Sequence, residues 1–567
     1  MARQTGRQIV RLLFIPALVL LQMAGCANQL PPAGGPIDRT PPEIVDAYPK
    51  NGTTDFKDDH FEVTFSKYVD RRSVQDAIFI SPAIEGEMEY DWSGKTLRVN
   101  FPGKLKDSVT YVVTFGTDLV DINNRNRMAQ AYSFSFSTGS RIDKGVVEGK
   151  VYLSDPSGVM IYAYPIKDTS KVNPTKEKPE YISQAGKDGS YRMPGMAPGQ
   201  YRIFAVKDEL KDFIYNVGED LYGAPYRDIS ISQKDSLFKN LDYFLAKEDT
   251  AKPRLVSAAM TDRFHVLTAV SEEFDSTIIS SQNFFLYDST LQREVKPLYA
   301  FRGRAKATEV ILSFKENPGE QDNVYLVAKR ITDKNGNSTN NDFVKLTVST
   351  KPDTTAPKLL QTKPPRGESG VETRGAEFYF YFDDGFDSTR AKTGISAIDK
   401  AGLKLPVEVS FLDDASFKVK IPVELKARQN YSIKVDLRMI ADAAGNRTDS
   451  VFTLPFTTSA GMDFTGVSGS VKTDTNMTKS NLVVVLQGVD KEKPVYKKRI
   501  GRKKDFNFNK VTPGKYQVWS FEDRDSTGVY NMGKPYPFKP SDRFTFYPDT
   551  LNLRARWPVE DVIVEYK

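Results

Sequence analysis

The chain has 567 residues, 39% of them hydrophobic and 27% charged, which suits several soluble globular domains with sizeable cores. Its net charge is +6, half of it from Arg3, Arg7 and Arg11 in an acid-free leader, too little to point to nucleic acid. The single cysteine, Cys26, excludes an intramolecular disulfide, and the two histidines, His60 and His265, exclude a His-rich metal site.

Residues 1–25 read as a signal peptide. The basic stretch MARQTGRQIVR precedes an apolar run from Leu12 to Leu21, too short to span a bilayer as a helix. Ala24 and Gly25 then stand just before Cys26. This small-small-Cys pattern resembles the bacterial lipobox. The resemblance implies that Cys26 is the first mature residue and carries the acyl chains of a membrane anchor. The Pro- and Gly-rich residues 26–37 read as a tether, with no acid before Asp38.

Beyond Asp38, short alternating runs such as HFEVTFSK, TYVVTFG and AYSFSFST are separated by clusters of Gly, Pro, Asn and Asp. No long 3.6-residue periodicity interrupts them. The fold class is therefore all-β, a tandem string of β-sandwich modules. Internal repeats divide it into five: module 1 over 38–140, module 2 over 143–247, module 3 over 252–350, module 4 over 353–460 and module 5 over 463–567. Short linkers predict an elongated or curved string with semi-rigid joints.

Modules 1, 3 and 4 are copies of one unit. The first and last open with DRTPP and DTTAP. In all three a strand leads to a turn aspartate, Asp70, Asp275 or Asp387, with Phe65, Val270 or Phe382 five positions before it. A later strand opens with Tyr111, Tyr325 or Tyr431 and runs to a second turn aspartate, Asp121, Asp333 or Asp442. Modules 2 and 5 share another pattern. Pro198, Gly199, Tyr201, Asp208, Tyr215 and Asn216 match Pro513, Gly514, Tyr516, Asp523, Tyr530 and Asn531 at identical spacing up to the Tyr-Asn pair. Each Pro-Gly predicts a type II turn with positive φ at the glycine.

The D-x-T-x-P opening and the D-x-x-G-N turn at Asp442 to Asn446 resemble bacterial Ig-like domains of the S-layer-associated type. The G-x-V start and PGxY of modules 2 and 5 resemble carboxypeptidase-regulatory, transthyretin-like sandwiches. With the cysteine and the GGPxDxTPP linker, the whole resembles Ig-like lipoproteins of the Bacteroidota. That resemblance implies an outer-membrane lipoprotein and, among other roles, an accessory subunit of the enlarged β-barrel assembly machinery. Its partners would be the outer membrane, through lipid on Cys26, and an outer-membrane β-barrel or other lipoproteins. It also implies the cell surface over the periplasmic face, although exported lipoproteins of the phylum carry early acids that are missing here.

The turn aspartates recur in every copy, so backbone hydrogen bonding accounts for them without catalysis. Asp333, Asp523 and Asp525 are weak calcium candidates on oxygen chemistry alone, and their loops lack the EF-hand pattern. Lys497, Lys498, Arg499, Arg502, Lys503 and Lys504 form a basic cluster expected at a hairpin tip, suited to an anionic partner or simply to solvent. Trp519 and its aromatic neighbours are expected in a sandwich core rather than on a sugar-binding face. No catalytic residue or cofactor is expected. The expected function is a non-enzymatic, lipid-anchored scaffold of an outer-membrane complex, the alternative being a glycan-binding or adhesive surface lipoprotein.

Overall fold

The structure is a computed structural model that describes residues 36–167, 172–316, 323–459, 464–473, 481–489, 494–501 and 503–566. The leader, Cys26 and Arg502 lie outside the described residues. Among the described residues no helix is long and apolar enough to cross a membrane.

The chain is all-β, and every sheet takes its strands from one module. In module 1 the strands Ile44–Tyr48, His60–Phe65, Thr96–Asn100 and Glu89–Ser93 form one sheet. The second holds Ile78–Ser81, Thr110–Phe115 and Tyr132–Ser137. Alternation along HFEVTF turns Phe61, Val63 and Phe65 inward, where they meet Phe115, Phe134 and Phe136. Module 4 repeats this with Phe378, Phe380 and Phe382. Module 3 departs from it. Its long strand Ser338–Thr347 also pairs in parallel with Leu255–Met260, which joins all eight strands into one sheet.

The first turn aspartates prove to be helix caps. Asp70 and Asp387 accept backbone N–H groups at the start of short helices, Arg71–Asp76 and Ser388–Thr393. Asp275 does the same for the 3-10 turn Ser276–Ile278.

Modules 2 and 5 share a second topology. In module 5 one sheet runs Val495–Ile500, Leu482–Gly488, Gly514–Glu522, Phe544–Leu553. The other runs Asp505–Val511, Thr465–Lys472, Val559–Glu565. The tyrosine after each Pro-Gly is locked alike, Tyr201 Oη donating to the Ala197 carbonyl and Tyr516 Oη to that of Thr512, both at 2.9 Å.

Five expectations are corrected. Gly199 is not among the glycines with positive φ and Gly514 sits at 153°, far from a type II turn, because each already pairs in a sheet, with Ile231 and Leu553. Tyr325 is not the counterpart of Tyr111 and Tyr431: the buried positions are Val324, Leu326 and Ala328, so Tyr325 faces outward against Phe343. The basic cluster is not a hairpin tip. Lys497, Lys498 and Arg499 lie in an edge strand of one sheet, and the chain then crosses to the other sheet.

The fourth correction concerns shape. Module 5 docks on module 2, so the chain folds back on itself instead of running out as an open string. Tyr152 and Phe244 of module 2 pack with Val483, Val485, Trp519, Phe521, Tyr530, Phe544 and Phe546 of module 5. Phe244 stacks on Phe544 at 4.2 Å, and Trp519 meets Phe244 edge-on at 5.6 Å. Arg202 lies over the Phe538 ring at 3.7 Å. Hydrogen bonds from Tyr222 to the Gly533 carbonyl and from Ser541 to the Ala224 carbonyl, both 2.9 Å, flank this contact. Trp519 is thus buried, but in the seam between modules and not in its own sandwich core.

Candidate functional site at the junction of modules 3 and 4

The most concentrated polar chemistry lies where module 3 meets module 4. His265 opens the strand His265–Val270 of module 3. Its Nδ1 faces Asp262 at 2.9 Å, and its Nε2 faces Asp384 Oδ1 of module 4 at 2.9 Å. A carboxylate at each nitrogen requires both to donate, so the ring is an imidazolium. Burial opposes that charge, but the hydrogen bonds to Asp262 and Asp384 outweigh it and raise the His265 pKa to about 10. Ser313 Oγ also donates to Asp384 Oδ1, at 3.2 Å.

Serine, histidine and aspartate therefore stand together, but not in nucleophilic order. An activated serine needs the imidazole as its base. Ser313 reaches the carboxylate instead and is wholly buried. The arrangement can pin two modules and does not set up acyl transfer.

Around it the junction is tightly bonded. The Ala300 N–H donates to Asp414 Oδ2 at 2.8 Å, and burial raises the Asp414 pKa. Arg304 donates to the carbonyls of Phe382 and Ala415, each at 3.3 Å, and lies over the Tyr381 ring. Next to His265, Asp353, Asp384 and Asp442 each bring a carboxylate oxygen to within 4.8 Å of the others.

The second turn aspartates are all bonded within their loops. Asp121 accepts the N–H groups of Asn123, Asn124 and Asn126. Asp333 accepts those of Asn335 and Asn337, and Asp442 that of Asn446. Asp333 also forms a trio with Asp249 and Glu272. Asp523 pairs with Arg499 at 3.1 Å and accepts the Gly528 N–H, and Asp525 accepts from Thr527. In the basic stretch, Lys498 Nζ donates to the Asn507 carbonyl at 3.0 Å and Lys504 to Thr473. Lys497 and Lys503 face solvent.

Sequence reasoning missed Asp262 and Asp384 as partners of His265. FDDGFD reads as one more acidic turn, and nothing in the sequence ties it to a histidine 119 residues earlier. The clefts lie elsewhere. One of about 470 Å³ lies between modules 1 and 2, lined by Gln130, Glu148, Lys150, Arg192 and Asn240 among others. Its aromatic Tyr152 is stacked on Phe546 at 4.6 Å.

Residues 38–138 and 353–458 match the bacterial Ig-like domain family. No curated protein matches. Among solved structures, the N-terminal part of the bacterial S-layer protein SbsC is 12% identical with a TM-score of 0.17, over 36% of this chain and 44% of that one. Domains 1–6 of SbsC give 10% identity and a TM-score of 0.16 over 85% of this chain and 65% of that one. The BcpA major pilin subunit of Bacillus cereus gives 9% and 0.14 over 75% and 100%. At such scores neither arrangement nor function carries over from these proteins. Modules 1 and 4 thus match the bacterial Ig-like domain family, within an all-β chain of sandwich modules.

Proposed function

We propose that this chain is a non-enzymatic scaffold of an outer-membrane protein complex, held to the membrane by lipid on Cys26 and facing the cell surface. In this reading it assists the assembly of outer-membrane proteins or lipoproteins, through contacts with a β-barrel or with other lipoproteins. The observation that carries the reading is the seam between modules 2 and 5, formed by residues far apart in the chain. A tether or stalk gains nothing from folding back, whereas a scaffold gains fixed spacing between its exposed surfaces. Phe79 of module 1 and Phe538 of module 5 both pack into one apolar cluster of module 2. The lipobox-like pattern before Cys26 supports the anchor. Exposed Lys497 and Lys503 offer an anionic partner a contact.

The test is purification at native abundance from the parent membrane in mild detergent, with mass spectrometry of what co-elutes. A β-barrel or lipoprotein in constant ratio is the expected result. Elution of the chain by itself would refute the proposal.

A further inference from the structure

We propose that module 4 binds a divalent cation with Ca²⁺-like oxygen preference between Asp353, Asp384 and Asp442. The argument begins with the repeat. Each of modules 1, 3 and 4 places three residues at one corner: the opening aspartate, the residue two after the buried Phe65, Val270 or Phe382, and the second turn aspartate. In module 4 these are Asp353, Asp384 and Asp442, and in module 3 Asp249 of the linker just ahead of it, Glu272 and Asp333. In module 1 they are Asp38, Lys67 and Asp121.

The corner is built alike each time. A turn asparagine folds back on the opening aspartate, its Nδ2 donating to the carbonyl of Asp38 from Asn126, of Asp249 from Asn337 and of Asp353 from Asn446. In module 1 a cation fills the corner. The Lys67 ammonium donates to Asp38 Oδ2 at 2.5 Å and to the Thr40 carbonyl at 2.6 Å. Modules 3 and 4 carry an acid where that lysine stands, so a positive centre is replaced by a negative one.

Two further observations in module 4 point to a ligand at this corner. Asp353 Oδ2 is fully buried and has no hydrogen-bond partner. Asp384 is only 8% exposed, and its contacts to His265, Ser313 and the Gly385 N–H all fall on Oδ1, leaving Oδ2 without one. Within the trio the His265 imidazolium hydrogen-bonds only Asp384 Oδ1, its ring lying within 4.8 Å of Asp353, and Asp353 and Asp442 have no Lys or Arg partner among the described residues. Three crowded carboxylates that a single imidazolium offsets only in part are costly. A hard divalent cation removes that cost, and an all-oxygen donor set favours Ca²⁺ over softer metals. Because Asp384 also bonds His265 and Ser313 of module 3, the ion would fix the angle between the two modules.

The test uses the full chain carrying Glu272→Gln, which silences the module 3 trio, stripped with chelator and kept at fixed ionic strength. CaCl₂ is titrated in while heat of binding and the unfolding midpoint are followed. The expected result is saturable binding with a rise in the midpoint. Adding Asp353→Asn weakens that binding at least tenfold, as does Asp442→Asn in a separate chain, with circular dichroism confirming that each is folded. Absence of saturable Ca²⁺ binding, or equal binding by the Asp353→Asn and Asp442→Asn chains, overturns the proposal.

Discussion

At the scale of single residues, the aspartates divide into those that cap and those that are buried. The capping aspartates were legible in the sequence, because a short acid before a small polar run has a local partner. The buried ones were not, because their environment comes from distant chain. Asp542 is an example. It is 2% exposed, and it exchanges hydrogen bonds with the backbone of Asn531, as Asp220 does with Asn216. Burial pushes its pKa from an ordinary 3.8 up to about 6. The folded chain thus keeps a proton that the unfolded chain releases, and its stability falls as pH rises through about 6. Asp542→Asn removes this titration and keeps an acceptor for the Asn531 N–H. The variant should therefore unfold at a higher temperature than the parent at pH 7, and the gap should close as pH falls toward about 4. Thermal unfolding across that range decides it, and a gap that stays constant or reverses would show that the carboxyl is ionised in the fold.

At the scale of elements, strand alternation makes the sandwiches legible, and it also decides positions that matched sequence spacing misplaces. Tyr325 matches Tyr111 and Tyr431 in sequence, yet a one-residue shift in a strand reverses every side chain, and Val324 takes the buried place. The G-x-V signature of modules 2 and 5 was legible only as a pattern. The structure supplies its reason. Gly149 and Gly469 lie where a second strand runs parallel against the first, Tyr243–Phe244 in module 2 and Val559–Glu565 in module 5. A Cβ on Gly149 would stand 2.1 Å from the Leu241 carbonyl oxygen, and one on Gly469 1.9 Å from that of Val562. Backbone cannot yield as a side-chain tip does. Gly149→Ala and Gly469→Ala should each cost about 1–3 kcal/mol, the range for forcing extra volume into a packed site. Urea unfolding of the two single variants measures this. If alanine leaves the midpoints unmoved, the parallel pairing is looser than described.

At the scale of the whole molecule, neither periodicity nor repeats indicate which modules touch, and so the closed arrangement was not legible. Its signal was present in an ambiguous form. The strand Gly514–Glu522 is apolar on both faces: Tyr516 and Val518 serve its own core, while Trp519 and Phe521 point the other way. A doubly apolar strand inside one sheet of a two-layer sandwich needs a cover on its outer face. Module 2 supplies it through Phe244, Tyr152 and, further along, Phe204 against Phe538. Trp519 is the largest side chain in that seam, and its indole N–H is held by Gln487 Oε1 of its own module at 3.2 Å. Truncating it should therefore loosen the docking without unfolding module 5, whose core does not contain it. Trp519→Ala combined with Phe244→Ala should raise the radius of gyration in small-angle X-ray scattering, as module 5 swings away from module 2. Far-UV circular dichroism should stay that of the parent. A buried tryptophan replaced by alanine costs about 3–5 kcal/mol, enough to open a contact of marginal stability. An unchanged radius of gyration in a folded double variant would mean that the flanking bonds at Tyr222 and Ser541, with Arg202 over Phe538, hold the modules together by themselves.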